Sequence, residues 1–229
     1  MITFESMKKL SYRSILSIVF LLSTINAQYL HVVGKEVFDN TGEKIILKGM
    51  GLGGWLVPEG YMLGTWGSPT SIRNRIVDLI GEDSTKIFYE KFEKNYVTEK
   101  DIALLAEWGF NSVRLPFHYK TLSPEYRNYD EGGFSVIDSV VSWCSKNKIY
   151  LILDMHVAPG SQSGDENADG DDGAKLWDSS ENQEWAVDIW GEIARRYSTE
   201  KWIGGYDLLN EPVLFNGGSQ VRNLQRKMR

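Results

Sequence analysis

The chain has 229 residues, 31 of them acidic and 25 basic, for a formal charge of −6. That length supports one sizeable core, and the acidic balance argues against a nucleic-acid partner. Its one cysteine, Cys144, excludes an internal disulfide.

The first 27 residues read as a secretory signal peptide. Lys8, Lys9 and Arg13 precede an apolar run from Ile15 to Leu22, and Ser23-Thr24-Ile25-Asn26-Ala27 resembles a cleavage region. The run is short for a membrane span; an uncleaved anchor is the alternative. The expected product is exported, to the extracellular space or a periplasm. It has no membrane association after cleavage, and its folded part is 28–229.

Gln28 to Lys48 has the pattern of a hairpin around Asp39-Asn40-Thr41-Gly42. The first main strand is expected over Ile45 to Met50. Gly49-Met50-Gly51-Leu52-Gly53-Gly54-Trp55 follows without the Gly-Lys-Ser/Thr of a phosphate loop. These glycines read as tight backbone that lets Trp55 and Glu59 reach a cleft. Ser71 to Asn95 is helical, broken at Gly81. Thr98 and Asp101 form a capping box, with Ile102, Leu105 and Trp108 on one face and Gly109 as the stop. A short strand, Ser112 to Phe117, carries Arg114, and His118 follows it. Ser135 is expected to cap a helix that turns Ile137, Val140, Val141 and Cys144 inward. Ile149 to Leu153 is a nearly unbroken apolar run, as in a strand covered on both faces, and ends in Asp154-Met155-His156. Ser180 and Gln183 form a second capping pair before Ala186, Ile189, Trp190, Ile193 and Tyr197 at helical spacing. The last strand, from Tyr206, ends in Asn210-Glu211-Pro212, where proline stops the ladder.

Strand and helix thus alternate four times, and each strand ends in polar groups. Alternation implies parallel strands with right-handed crossovers. A doubly wound sheet has the same alternation. Polar groups at every strand end favour a (β/α)8 TIM barrel, whose site lies at the carboxyl ends of its strands. A full barrel takes about 250 residues, so 28–229 is expected to cover roughly the first four units, the amino-terminal half. Val221, Leu224 and Met228 recur at helical spacing, and the basic residues Arg222, Arg226, Lys227 and Arg229 read as a solvated helix face.

A pair of carboxyl groups across a glycosidic bond is the machinery of glycoside hydrolysis. Glu211, half-sheltered at a strand end, suits the proton donor. Asn210 can bond a sugar 2-hydroxyl. Arg114 can hold a carboxylate ionised, with a structural ion pair as the alternative. His156 is a cleft group or a satisfied buried imidazole. Trp55 and Trp177, in loops, can stack on sugar rings; for Trp177 loop packing is the alternative. Asp165-Glu166-Asn167-Ala168-Asp169-Gly170 matches half of an EF-hand loop, but Leu176 stands where the bidentate Glu belongs. His118 and His156 lack zinc-ligand spacing. No metal and no cofactor are expected.

Four segments taken together resemble glycoside hydrolase family 5, the cellulase family. Gly53-Gly54-Trp55-Leu56-Val57-Pro58-Glu59 is similar to the first-strand segment of its exo-β-1,3-glucanase-like branch. Trp108-Gly109-Phe110-Asn111-Ser112-Val113-Arg114-Leu115-Pro116 resembles the second-strand motif. Asp154-Met155-His156-Val157-Ala158-Pro159-Gly160-Ser161-Gln162 resembles the third-strand segment, and Leu208-Leu209-Asn210-Glu211-Pro212 the acid/base strand. The resemblance implies a retaining hydrolase of β-glucan-type polysaccharides, with Glu211 as acid/base. It places Asn210, Arg114 and His156 around the sugar and Glu59 on a sugar hydroxyl. The family's nucleophile comes from a seventh strand, so this chain alone is expected to be inactive. The residues from Asp165 to Asp172 depart from the yeast-type branch. A non-catalytic carbohydrate-binding or degenerate protein is the reading from another class.

Overall fold

The computed structural model describes residues 29–39, 41–214 and 218–229. The expected leader lies outside them. Two compact units divide at Ile46 and Leu47. The first is a small antiparallel sheet, β1 (His31–Val33), β2 (Glu36–Phe38) and β3 (Lys44–Ile45), in that order. Asp39 Oδ1 makes its second turn by accepting from Thr41 N at 2.8 Å and Thr41 Oγ1 at 2.7 Å. Ile45 pairs with Val37, so the expected first main strand is corrected to a shorter one, β4 (Gly49–Gly51).

In the second unit β4, β5 (Ser112–His118), β6 (Tyr150–Val157) and β7 (Ile203–Asp207) form a parallel sheet in sequence order. Helices α1 (Gly60–Leu63), α2 (Pro69–Ile80), α3 (Glu82–Tyr96) and α4 (Glu99–Glu107) separate β4 from β5. Helices α5 (Tyr119–Leu122) and α6 (Glu131–Asn147) lead to β6, α7 (Ser180–Tyr197) leads to β7, and α8 (Gly218–Met228) follows. Four strand–helix units in sequence order make a partial α/β barrel, with β4 and β7 as edges among the described residues.

Side chains alternate across a strand, and that alternation divides this sheet chemically. Val113, Leu115 and Phe117 of β5 and Leu151, Leu153 and Met155 of β6 are fully buried in one hydrophobic cluster with the helices. Phe117 meets Trp190 of α7 edge-on at 5.9 Å, and Tyr206 meets it at 5.6 Å. The opposite face carries Arg114, Asp154, His156 and Asp207. The apolar run of β6 is therefore covered by helices on one face and lined with polar groups on the other. Ile152, on that second face, is only half-buried.

The helices follow their apolar spacing, with shifted ends. Ile137, Val140, Val141 and Cys144 of α6 are buried as expected, but the helix starts at an Asp130 cap that accepts from Gly132 N at 2.9 Å. Ser135 lies inside it. Gly133 explains the early start: a Cβ there would fall 1.7 Å from the Thr121 carbonyl oxygen, so only glycine allows α6 this close to α5. The cap of α7 is Ser179 rather than Ser180. The capping box of α4 forms as read, with Thr98 N donating to Asp101 at 2.7 Å. Trp108 does not join Ile102 and Leu105 inside; it is the terminal cap residue and is exposed. Leu224 and Met228 of α8 are buried, leaving Arg222, Arg226, Lys227 and Arg229 outside. Burial pushes the Cys144 thiol up to about 12. Among the described residues no helix is long and apolar enough to cross a membrane.

Candidate active site

Strand register assembles the site. Asp154 lies beside Pro116 of β5 and Asp207 of β7, so the acids of two strands face each other across one row. Arg114 reaches up into that row. Its guanidinium is 2.9 Å from Asp154 Oδ2 and 3.0 Å from Asp207 Oδ2, and it donates to Asn210 Oδ1 at 2.8 Å. One cation therefore holds two carboxylates and fixes the amide orientation of Asn210.

His156 sits between two acids. Its Nδ1 is 2.8 Å from Asp154 Oδ2 and its Nε2 is 3.3 Å from Glu59 Oε1. Burial alone would lower its pKa, but the bonds to Asp154 and Glu59 outweigh burial and raise it to about 9. The ring is an imidazolium at neutral pH, donating to both carboxylates. In return the His156 bond holds Glu59 below its ordinary value, against partial burial. Burial pushes the Asp154 carboxyl up even with His156 and Arg114 on one oxygen. Its other oxygen, Oδ1, is buried and has no hydrogen-bond partner among the described residues.

The His156 pKa makes stability depend on pH, with a definite sign. A value raised from 6.5 to about 9 means that the folded state binds the proton more tightly than the unfolded state. The stabilisation is fully present below about 6.5 and is lost as pH rises through about 9. Its ceiling is roughly 3 kcal/mol. Thermal melts from pH 6 to pH 10 should show a fall concentrated between those values, flattened in His156→Gln.

Gln162 ties the strand exits together. Its side chain donates to the carbonyls of His156 at 2.7 Å and Asn210 at 3.0 Å and accepts from Ala158 N at 3.1 Å. Its own carbonyl accepts from Val213 N and from the Trp177 indole at 2.9 Å. Trp177 is thus a buried brace, and loop packing is its role in this conformation. Trp55 is likewise corrected. It is 3 % exposed and donates its indole N–H to the Glu93 carbonyl at 2.8 Å, so neither ring offers a face to a sugar. Gly54, at φ +72°, makes the turn that sends Trp55 inward. Glu59 does reach the cleft as read. Beside it Tyr61, which is exposed, bonds to Glu59, and that bond raises the tyrosine pKa.

The last strand is corrected: β7 starts earlier than read, at Ile203, and ends at Asp207, so Asn210 and Glu211 follow it after Leu208 and Leu209. Asn210 is buried, and its N–H donates to the Met155 carbonyl at 3.1 Å. Glu211 is exposed in this chain rather than half-sheltered, and takes φ +41°, a left-handed backbone that costs a non-glycine residue. Such strain concentrates at functional sites. Its Oε2 accepts from Asn167 Nδ2 at 3.3 Å.

His118 stands apart from this network. Its Nδ1 accepts from Lys120 N at 3.1 Å, so Nε2 carries the hydrogen and donates to Asp169 Oδ2 at 3.1 Å. Burial lowers the His118 pKa despite Asp169, and the ring is neutral. The acidic loop that resembled half an EF-hand is occupied by protein donors. Asp169 accepts from Thr70 N and Oγ1 at 2.8 and 2.7 Å, Asp171 from Ser68 Oγ at 2.6 Å, and Glu166 from Gly67 N at 3.2 Å. Burial works against the Asp169 charge, yet His118 and Thr70 hold its carboxyl well below the usual range. Among the described residues no group of three or more ligating side chains is arranged for a metal.

The sequence reading brought Arg114, His156, Asn210, Glu211 and Glu59 to this one end of the sheet. It missed Asp207, Gln162, Tyr61 and Asn167. Asp207 had a usable signal: it is the one charged residue in the strand before Asn210, directly before the apolar pair Leu208-Leu209.

A parallel sheet that presents a charged, hydrogen-bonded cluster and a strained glutamate at its strand ends has the form of an α/β-barrel enzyme site. Residues 77–228, about two thirds of the chain, match the model of cellulase, glycosyl hydrolase family 5. The chain belongs to that family. A β-xylosidase of Phanerodontia chrysosporium is 37% identical over 188 residues, which are 81% of this chain and 40% of that protein. Endoglucanase C of Acetivibrio thermocellus is 38% identical over 130 residues, 56% of this chain and 36% of that protein. The chain therefore spans about two fifths of the curated relatives it matches. Among solved structures an endogalactoceramidase aligns with a TM-score of 0.62 at 20% identity, over 87% of this chain and 49% of that one. The rutinosidase of Aspergillus niger aligns with a TM-score of 0.58 at 18% identity, over 76% of this chain and 51% of that one. Both show the barrel fold.

Proposed function

We propose that the whole protein is a secreted, retaining glycoside hydrolase acting on β-glucan-type polysaccharides, and that this chain supplies its sugar-holding and proton-donating half. The observation that carries the reading is the Asn210-Glu211 pair at the exit of β7, joined through Arg114 and His156 to Asp154, Asp207 and Glu59. In the proposed mechanism Glu211 protonates the leaving oxygen. Asn210, its carbonyl oxygen held by Arg114, turns its NH2 toward the sugar 2-hydroxyl, a contact that strengthens in the transition state. Glu59, kept ionised by His156, accepts from a second hydroxyl.

A retaining site needs a second carboxyl group about 5 to 5.5 Å from the donor. Asp154, Asp207 and Glu59 are each committed to a cation, so the proposal gives the nucleophile to another strand end of the whole barrel. The relatives are named for xylosides and glucans, so the assay is run with β-1,3-glucan, β-1,4-glucan and aryl β-glucosides and β-xylosides. The expected result is turnover by the whole barrel and saccharide binding without turnover by 28–229 alone. A whole barrel that binds these sugars and hydrolyses none would favour the carbohydrate-binding reading instead.

Export is part of the same proposal and rests on the basic, apolar and small-residue order of the first 27 residues. Mass spectrometry of secreted material should find an amino terminus near Gln28. Intact Met1 in a cytoplasmic product would overturn it.

A further inference from the structure

The acidic segment that departs from the yeast-type branch has a use beyond its resemblance to a calcium loop. Asn167 lies in the middle of a 3-10 turn, Glu166–Ala168, and points its amide at Glu211. We propose that Asn167 is a positioning residue for Glu211, holding the carboxyl of the proton donor in one orientation from a loop that Asp169 and Asp171 fasten to helix α2. The inference rests on the reading of Glu211 as proton donor.

Three observations support it. First, Glu211 needs an orienting partner. It is exposed, on a left-handed backbone, and a glutamate side chain facing solvent has several rotamers of similar energy. A proton donor has to present one oxygen to the glycosidic bond, and a donated hydrogen bond on Oε2 selects among those rotamers.

Second, Asn167 is itself held. Ala168, next to it, is 1 % exposed. The N–H groups of Ala168 and Gly170 both donate to the Asp165 carbonyl at 3.0 Å, which closes the turn. Gly170 is packed so tightly on Gly164 that a Cβ would fall 2.3 Å from its carbonyl carbon. An amide on such a turn has little freedom to leave.

Third, the turn is clamped at a distance. Asp169 and Asp171 take the Thr70 and Ser68 donors at the start of α2, where the helix end favours negative charge. Ser68 Oγ also accepts from Ser71 N at 3.1 Å, so one hydroxyl serves both the helix cap and the loop. His118 adds a third donor to Asp169 from the end of β5. The acids at these positions are accounted for by fastening, and Asn167 is the side chain the fastening delivers.

The test uses the 229-residue chain and its variants Asn167→Ala, Asp169→Asn and Glu211→Gln. The probe is N-bromoacetyl-β-D-glucosylamine. A carboxylate oxygen of the proton donor displaces bromide from the reagent's methylene carbon and forms an ester that mass spectrometry locates. In parallel the carboxyl-carbon resonance of Glu211 is recorded in glutamate-labelled protein and assigned by its loss in Glu211→Gln. The expected result is labelling at Glu211, slowed at least threefold in Asn167→Ala and in Asp169→Asn. The Glu211 resonance should move in both variants, while the melting temperature of Asn167→Ala stays as in the parent. The resonance is the readout that a merely structural asparagine would leave alone. Labelling at Glu211 with unchanged rate and resonance in Asn167→Ala overturns the inference and leaves the proton-donor reading standing. No labelling at Glu211 in the parent chain overturns that reading and the inference with it.

Discussion

Glu211→Gln in the whole protein is expected to lower turnover of unactivated glucans by about two to four orders of magnitude, the range in which a positioned general acid contributes. The substitution keeps the shape of the side chain, its exposure and the contact with Asn167, and removes only the transferable proton. Substrates whose leaving group departs without protonation, such as dinitrophenyl glycosides, should lose far less in the first step. The comparison therefore separates loss of acid catalysis from loss of binding, because weaker binding would penalise both substrates alike. Near-parental turnover of both would remove Glu211 from the mechanism.

Arg114→Met should have the largest effect on folding. Its guanidinium is the common partner of Asp154, Asp207 and Asn210, and methionine retains much of the stem while deleting the charge. Asp154 is wholly buried. Without Arg114 it keeps His156 on the same oxygen and still has an unpartnered second oxygen. Removing one member of a buried pair costs about 3 to 5 kcal/mol. Arg114 is one third exposed, so solvent screens part of the loss and the lower end, about 3 kcal/mol, is expected. For a chain of this size that lowers the melting temperature by roughly 6 to 12 °C. Calorimetry on Arg114→Met, with Arg114→Lys as the variant that keeps charge but loses the planar fork, measures it. A shift under 2 °C would mean that the network adds almost nothing to stability.

The four strand–helix units were legible because apolar spacing and strand-end polarity are local properties. Ile137 to Cys144 and Ala186 to Tyr197 needed only helical periodicity to be placed inward, and Arg114, His156, Asn210 and Glu211 were marked out as polar groups beside apolar runs. Long-range pairing was less legible. Thr70 and Asp169, 99 residues apart, meet because a loop after β6 folds back on the start of α2, and nothing near Asp169 announces it. The half EF-hand pattern could be set aside from Leu176 alone, but what its acids do instead could not be read: the same acids serve a metal or a helix end, and only the partner decides. Trp55 and Trp177 were read as cleft residues because their segments look like loops. The Glu93 carbonyl in the last turn of α3 and the loop carbonyl of Gln162 need donors once covered, and the indoles supply them from inside. Helix α6 began earlier than expected because Gly132-Gly133 resembles a loop in sequence, whereas the close crossing over Thr121 demands a glycine.

Cys144 gives the molecule a built-in clock. The thiol lies wholly inside the cluster between α6 and the sheet, with its pKa pushed up to about 12, so in the closed molecule it is neither reachable nor ionised. Alkylation requires a thiolate, and the thiolate forms only when that cluster parts. With reagent in excess, so that capture outruns reclosing, the rate of modification equals the rate at which this part of the barrel opens. The chain has no other sulfhydryl, so each count on that clock reports the same event, and mass spectrometry can read it without an added probe.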